Sequence, residues 1–245
     1  MFLSALHMEK ILSPLENKGV FDDLEKLYAQ MPETECEGCA TCCTAPPPGY
    51  LIEFLNLYRY LKRNLAAERA SIMVKLADYY FLELVDINVK CPFLSGDNKC
   101  LVYPVRSLSC RFYGLQNREE SFDHTAMQKL AQFYRERHGI ELPPEIVSFH
   151  LPPNCARVRV ARGKHLKKGD IERLITELAG LEAHVMPPEY IEQDRSLLPF
   201  ASYLALTVLG EGARSRRIRV MKEYLETGRS ELLEGYREKA KEFNF

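Results

Sequence analysis

Crowded cysteines constrain this chain more than any other feature. Residues 36–43 read Cys-Glu-Gly-Cys-Ala-Thr-Cys-Cys, so four of the eight cysteines (Cys36, Cys39, Cys42, Cys43) fall within eight positions. The other four follow singly, as Cys91, Cys100, Cys110 and Cys155. A Cys-x-x-Cys step lets two thiolates converge on one metal through a tight turn. Cys42 extends the step to C-x2-C-x2-C, the opening of the bacterial ferredoxin run that holds an iron–sulfur cluster. That run takes its fourth thiolate from a cysteine followed by proline, and Cys91-Pro92 has this local form, much further along the chain. Adjacent residues in extended backbone face opposite sides, so Cys42 and Cys43 are not expected to share one metal. One of them serves a second site or lies beside the centre as an unligated thiol. Cys100, Cys110 and Cys155 could complete a second set of four with it.

A disulfide framework is the competing reading of such a pattern. It belongs to short chains in oxidising compartments, and this chain has 245 residues and no visible secretory start. His7, Glu9 and Lys10 interrupt the N-terminal apolar stretch too early for a signal peptide, and no apolar run is long enough to span a bilayer. The expectation is a cytoplasmic protein whose thiols are reduced and free to bind metal. With 46% hydrophobic and 27% charged residues the chain can bury an ordinary core. A formal net charge of -1 argues against a general nucleic-acid binder, which needs a basic excess.

Periodicity predicts a mainly α-helical fold, a single metal-binding domain over residues 1–245 built around an irregular cysteine-rich core (about 36–113, extending to 155), with a helical C-terminal part over about 170–245. Helices are predicted over Pro14 to Met31, capped by Ser13, and over Tyr50 to Lys62 and Ala66 to Leu84. Pro46-Pro47-Pro48-Gly49 closes the cysteine loop with backbone that cannot continue a helix. Val89 to Gly114 reads as short extended pieces around a Ser95-Gly96-Asp97-Asn98 turn, where metal ligation could supply the order that secondary structure does not. Further on, a helix is expected over Asp123 to His138, stopped by Gly139, then a strand over Ala156 to Ala161 and a helix over Ile171 to Leu181 capped by Asp170. The stretch Leu197 to Phe245 reads as two helical segments broken near Gly228.

The order CxxCxxCC, then Cys91-Pro92-Phe93-Leu94, then Cys100-x-x-Tyr103-x-x-Arg106 with a following Cys110-Arg111, resembles the CxxCxxCC (YkgJ-type) family of zinc- or iron-chelating proteins. The same motif is found in flagellin lysine N-methylases. The match spans about Cys36 to Tyr113. The resemblance implies Cys36, Cys39, Cys42, Cys43, Cys91, Cys100 and Cys110 as metal ligands. It also implies a protein-lysine N-methyltransferase-like activity, with S-adenosylmethionine as the donor and a protein substrate or partner. Two positions depart from the family's usual pattern: Ala40 stands where a glycine is common, with the glycine earlier at Gly38, and Arg106-Ser107 replaces Arg-Pro. Both touch turn geometry and leave the ligands unchanged.

Other candidate chemistry is weaker. The basic runs Arg157, Arg159, Arg162, Lys164, Lys167, Lys168 and Arg214, Arg216, Arg217, Arg219, Lys222 are better explained as solvated, salt-bridged surface than as a phosphate or RNA site, given the near-neutral total. No His-x3-5-His pair suggests mixed-ligand zinc; His150, near Cys155, is an outlying candidate beside the metal, though an ordinary loop histidine explains it better. Gly210-Glu211-Gly212 lacks the strand–loop–helix setting of a nucleotide site. A [4Fe–4S] cluster fits three thiolates at this spacing with a remote Cys-Pro. Zinc is the alternative, since a four-thiolate site accepts the same ligands. An enzyme should place convergent polar groups beside the metal, for which Tyr103, Arg106, Arg111 and Tyr113 are the candidates. A non-catalytic structural or interaction module should instead bury its metal and expose a docking patch.

Overall fold

The structure is a computed structural model that describes residues 4–113, 115, 125–151, 155, 157–164, 166–185 and 198–245. Eleven helices and four short strands occur among the described residues, so the chain is mainly helical, as its periodicity predicts. Helix α1 (Ala5–Asn17) and helix α2 (Val20–Tyr28) replace the single helix expected from Pro14. The first turn is set by Ser4, whose hydroxyl accepts from the His7 amide, rather than by Ser13. Pro14 sits inside α1, and the break falls at Gly19, whose φ of 70° is the left-handed geometry that glycine tolerates best. Leu15, Val20, Leu24, Leu27 and Tyr28, which recur at roughly helical spacing, are all buried.

Helix α3 (Leu51–Asn64) is the centre of the molecule, with Ile52, Phe54, Leu55, Leu57 and Tyr58 all essentially inaccessible. A helix buried on so many sides has its terminal amides far from water, and partners must be supplied to them. Glu182 supplies two, its carboxylate oxygens accepting from the Leu51 and Ile52 amides at 2.8 Å each. Glu53 accepts from the Tyr50 amide at 3.0 Å and, through its other oxygen, from the Tyr28 hydroxyl at 2.7 Å and the Leu108 amide at 2.6 Å. Two buried carboxylates therefore fasten α2, α3, the short helix α5 (Leu108–Phe112) and helix α8 (Lys168–Glu182) to one another.

Helix α4 (Arg69–Leu82) packs against helices α9 (Phe200–Leu209), α10 (Gly212–Thr227) and α11 (Glu231–Lys241). The C-terminal stretch is thus three helices, broken at Gly228 as expected and also at Gly210, where φ is 81°. Helix α8 begins before the expected Asp170 cap; that carboxylate lies inside the first turn and accepts from the Lys167 amide. Helix α6 (Thr125–His138) stops at Gly139, and its expected start at Asp123 lies outside the described residues, as does Ala156 of the predicted strand and Leu197 of the C-terminal stretch. A single turn of helix, α7 (Pro144–Val147), follows. Buried apolar side chains from Met8 to Ala240 belong to one contiguous cluster.

Two antiparallel ribbons tie the cysteine-rich segment to later parts of the chain. Strand β1 (Glu33–Cys36), which periodicity did not predict, pairs with β3 (Val158–Arg162), with Cys36 opposite Val158. Strand β2 (Pro48–Gly49) pairs with β4 (Leu198–Pro199). The basic residues of β3 meet the acidic residues of β1, Arg162–Glu33 at 3.1 Å and Arg159–Glu35 at 3.5 Å, and Arg157 meets Glu37 at 3.9 Å just beyond the paired strands. The first basic run is therefore salt-bridged surface over these residues. In the second, Arg217 pairs with Glu83 and Arg219 with Glu223, each at 2.7 Å.

Candidate metal centre

All eight cysteines line one cavity of about 850 Å³. They arrive from segments far apart in sequence, and each is placed by a local device. Cys36 ends β1, and Cys39 follows a turn through Gly38, whose φ is 72° and where an added Cβ would lie 3.2 Å from the Asn98 carbonyl. Cys42 and Cys43 lie in a turn of 3₁₀ helix, Cys42–Thr44. Cys91 is tied to that turn by its amide, which donates to the Cys43 carbonyl at 2.7 Å. Cys100 pairs with Leu94 across the predicted Ser95–Asn98 turn, closed by the Ser95 amide donating to the Lys99 carbonyl at 2.9 Å. Cys110 sits on α5, and Cys155 lies shortly before β3, its carbonyl accepting from the Val158 amide at 3.4 Å.

The expected divergence of Cys42 and Cys43 does not occur. Successive side chains in a 3₁₀ turn are about 120° apart, not the roughly 180° of a strand, and the two Sγ atoms lie 3.9 Å from each other on the same cavity wall. The edge of a tetrahedron with Zn–S bonds of 2.3 Å is about 3.8 Å. The adjacent pair therefore has the separation of two thiolates on one metal.

The wall is otherwise apolar, formed by residues such as Phe93, Val102, Leu151 and Phe200, with Pro46–Pro48 along one side. Phe200 had no local sequence signal. It reaches the cavity because β4 delivers α9 against β2, where Gly49 leaves no room for a side chain: an added Cβ would lie 2.3 Å from the Phe200 ring. Arg106 is held 3.5 Å over the Tyr103 ring, and its Nε donates to the Tyr103 carbonyl at 3.3 Å. The Tyr103 hydroxyl donates to the Thr34 carbonyl at 2.8 Å and so latches β1 to the cavity rim. Tyr113 also lines the cavity, whereas Arg111 and His150 do not. Arg111 is engaged elsewhere, its guanidinium 4.1 Å over the Tyr28 ring and donating to the Arg106 and Pro104 carbonyls.

Electrostatics favour a cation here. Burial holds the Cys91 and Cys100 thiols above their ordinary range and pushes Cys110 up to about 11. Burial also raises Cys155. Two thiols go the other way: Cys42 is lowered to about 7 because the Cys43 thiol donates to it, with the Arg106 charge assisting, and the same contact raises Cys43. Cys39 is lowered by hydrogen bonds from Thr41. Among the described lining residues the cationic side chains are Lys99 and Arg106, and Lys99 is paired with Asp97 at 2.8 Å. Ionising several of these thiols together requires more positive charge than Arg106 brings, and a soft metal cation supplies it. Among the described residues no three histidine, cysteine or acidic side chains already converge tightly enough to hold an ion. The thiols are distributed around the wall, and metal binding would draw them inward.

Residues 35–133 match a family model, CxxCxxCC, described as "Putative zinc- or iron-chelating domain". Seven of the eight cysteines fall inside the match, and Cys155 lies beyond it. No curated protein and no solved structure matches the chain. The two departures from the pattern of that family have visible consequences. Ala40 takes the left-handed backbone that glycine would accept freely, with φ at 59°, and keeps its methyl buried. Ser107 caps α5, its hydroxyl accepting from the Cys110 amide at 3.2 Å, so the ligand candidate itself donates the capping bond. No helix among the described residues is long and apolar enough to cross a membrane.

Proposed function

We propose that this protein is a metal-binding protein whose cysteines hold an iron–sulfur centre, of the [4Fe–4S] type. The observation that carries the reading is the gathering of all eight thiols around one cavity of about 850 Å³. A mononuclear thiolate site draws its ligands onto a single point and leaves no such space. A volume of this size matches sites for cofactors and small molecules, about 300–1,000 Å³. Iron–sulfur chemistry uses soft thiolates in an apolar shell, with hydrogen bonds to sulfur tuning the potential. Here the Cys43 thiol beside Cys42, and Arg106 across from it, are the groups that would tune it.

Zinc is a second reading, favoured by the 3.9 Å separation of Cys42 and Cys43, which is close to a tetrahedral edge. The two are separated by anaerobic purification followed by absorbance and metal analysis on one sample. A broad band near ~400 nm with iron and acid-labile sulfide supports the cluster. A colourless protein with about one or two zinc per chain replaces it with zinc. Neither metal, with eight free thiols and an intact fold, overturns both.

For protein-lysine N-methyl transfer, the reaction implied by the motif's resemblance to flagellin lysine N-methylases, the apolar wall around Phe200 and Leu151 is the space a donor could use. S-adenosylmethionine titrated calorimetrically into the metal-loaded protein tests this. Absence of binding at millimolar donor leaves a structural or interaction module.

A further inference from the structure

Helix α3 is buried around most of its circumference, yet Asn56, Arg59, Tyr60, Arg63 and Asn64 recur at the spacing of a single helical face, and that face is polar. It lines a second cavity, of about 350 Å³, which Glu25 and Tyr28 of α2 and the turn at Pro104 and Val105 complete. The volume is that of a small-molecule site. Arg59 stands in its wall with its charge incompletely answered. The guanidinium lies 4.3 Å over the Phe21 ring, the side chain is 18% exposed, and Nη2 donates to the Asn56 Oδ1 at 2.9 Å. The carboxylates near it are those of Glu25 at 3.4 Å and Glu16 at 4.0 Å. Charge-assisted bonds of this kind run about 2.7–2.9 Å, and Glu16 makes one of that length to Arg63 instead, at 2.7 Å. Among the described lining residues the carboxylate facing Arg59 and Arg63 is that of Glu25, itself 64% exposed. Asn56 adds a second donor. An arginine has donors only, so its bond fixes the Asn56 oxygen toward Arg59 and turns the amide nitrogen away. Asn56 is 2% exposed, and its Nδ2 bonds to no described residue. A buried amide nitrogen without an acceptor is costly, and an acceptor arriving in the cavity would satisfy it.

We propose that this cavity binds a small organic acid, whose carboxylate bridges Arg59 and the Asn56 Nδ2 group and whose apolar body lies against Pro104, Val105 and the Tyr28 ring. A carboxylate has the two acceptor oxygens that such a pair of donors requires. The site is distinct from the cysteine cavity but shares a wall with it: Tyr103 and Arg106, which flank Pro104 and Val105 in the chain, line the cysteine cavity. The proposal does not depend on which metal that cavity holds.

Benzoate is the probe, with benzamide as its uncharged counterpart of the same shape. Each is titrated at low salt into isotope-labelled full-length protein, and binding is read by NMR at the Asn56 side-chain amide and the Arg59 Nε–H. Saturable shifts of both signals are expected with benzoate and not with benzamide. Asn56→Asp keeps an oxygen for Arg59 but sets a second carboxylate oxygen where the donor was, and should weaken benzoate binding at least about tenfold, read at Arg59. Glu25→Gln, on the exposed rim, removes the competing carboxylate without touching the core, and should strengthen binding about two- to fivefold. The second variant keeps the test decisive if the buried substitution does not fold. Equal binding of benzoate and benzamide, no shift at Asn56 with either, or weaker benzoate binding in Glu25→Gln overturns the proposal. So does inorganic phosphate shifting these signals where benzoate does not, since the anion recognised is then not a carboxylate.

Discussion

Glu53 links the fold to the cavity, and replacing it tests that link directly. Its carboxylate is 1% exposed and receives three donors: the Tyr50 amide on one oxygen, and the Tyr28 hydroxyl and Leu108 amide on the other. Leu108 opens α5, which carries Cys110, so the carboxylate pins a candidate ligand helix to the central helix α3. Glu53→Ala leaves two backbone amides and a hydroxyl without their acceptor. At about 1–3 kcal/mol for each orphaned buried group, partly offset by no longer burying a carboxylate, the loss is about 4 kcal/mol. For a chain of this length that lowers the thermal midpoint by about 8–16 °C. Glu53→Gln keeps the oxygen that serves Tyr28 and Leu108 and sets an NH₂ group against the Tyr50 amide, a loss of about 2 kcal/mol. Loosening α5 should also weaken metal retention about 10–100-fold, as removal of groups that orient ligands does. Urea titration followed by circular dichroism, with chelator competition on the same samples, gives both numbers. The reasoning is refuted if Glu53→Ala lies within about 1 kcal/mol of the parent, or if Gln costs as much as Ala.

Three further outcomes follow from particular contacts. Removing the metal should lower the thermal midpoint by at least about 10 °C, because the thiolates cross-link segments distant in sequence; an unchanged melting curve after verified chelation rejects a structural role. Burial holds the Glu182 carboxyl up to about 7, so the folded state keeps a proton there that the unfolded chain has already released. This contribution to stability is therefore present at acid pH and declines, by at most about 1.4 kcal/mol per pH unit, as pH rises from the ordinary carboxylate range to about 7. Glu182→Gln lacks it, so the stability advantage of the parent should narrow between pH 5 and 7; a constant or widening gap contradicts the assignment. Arg217→Ala leaves Glu83 half-buried and unpaired between α10 and α4 and should cost about 1–2 kcal/mol by denaturant unfolding, whereas Arg159→Ala on the exposed ribbon should cost less than about 1.

The sequence by itself determined which chemistry the chain can support. Eight cysteines at these spacings, in a chain with an ordinary apolar core, point to metal ligation, and the long helices α3, α4 and α6 were legible from their apolar stripes and the glycine stop at Gly139. Local pattern failed where a non-local partner decided the conformation. Strand β1 forms because β3 lies beside it, with arginines facing its glutamates. Cys42 and Cys43 converge because their backbone closes into a 3₁₀ turn, and α8 ends on a carboxylate whose partners are amides of α3. Phe200 reaches the cavity through a glycine contact beside one ribbon of two strands, two residues each. Only the tertiary structure decided which thiols are neighbours. Spacing along the chain fixes how far a ligand can reach, but backbone pairing fixes where it points, and here that pairing sets Cys91 beside Cys43 and, through Val158, brings Cys155 toward Cys36.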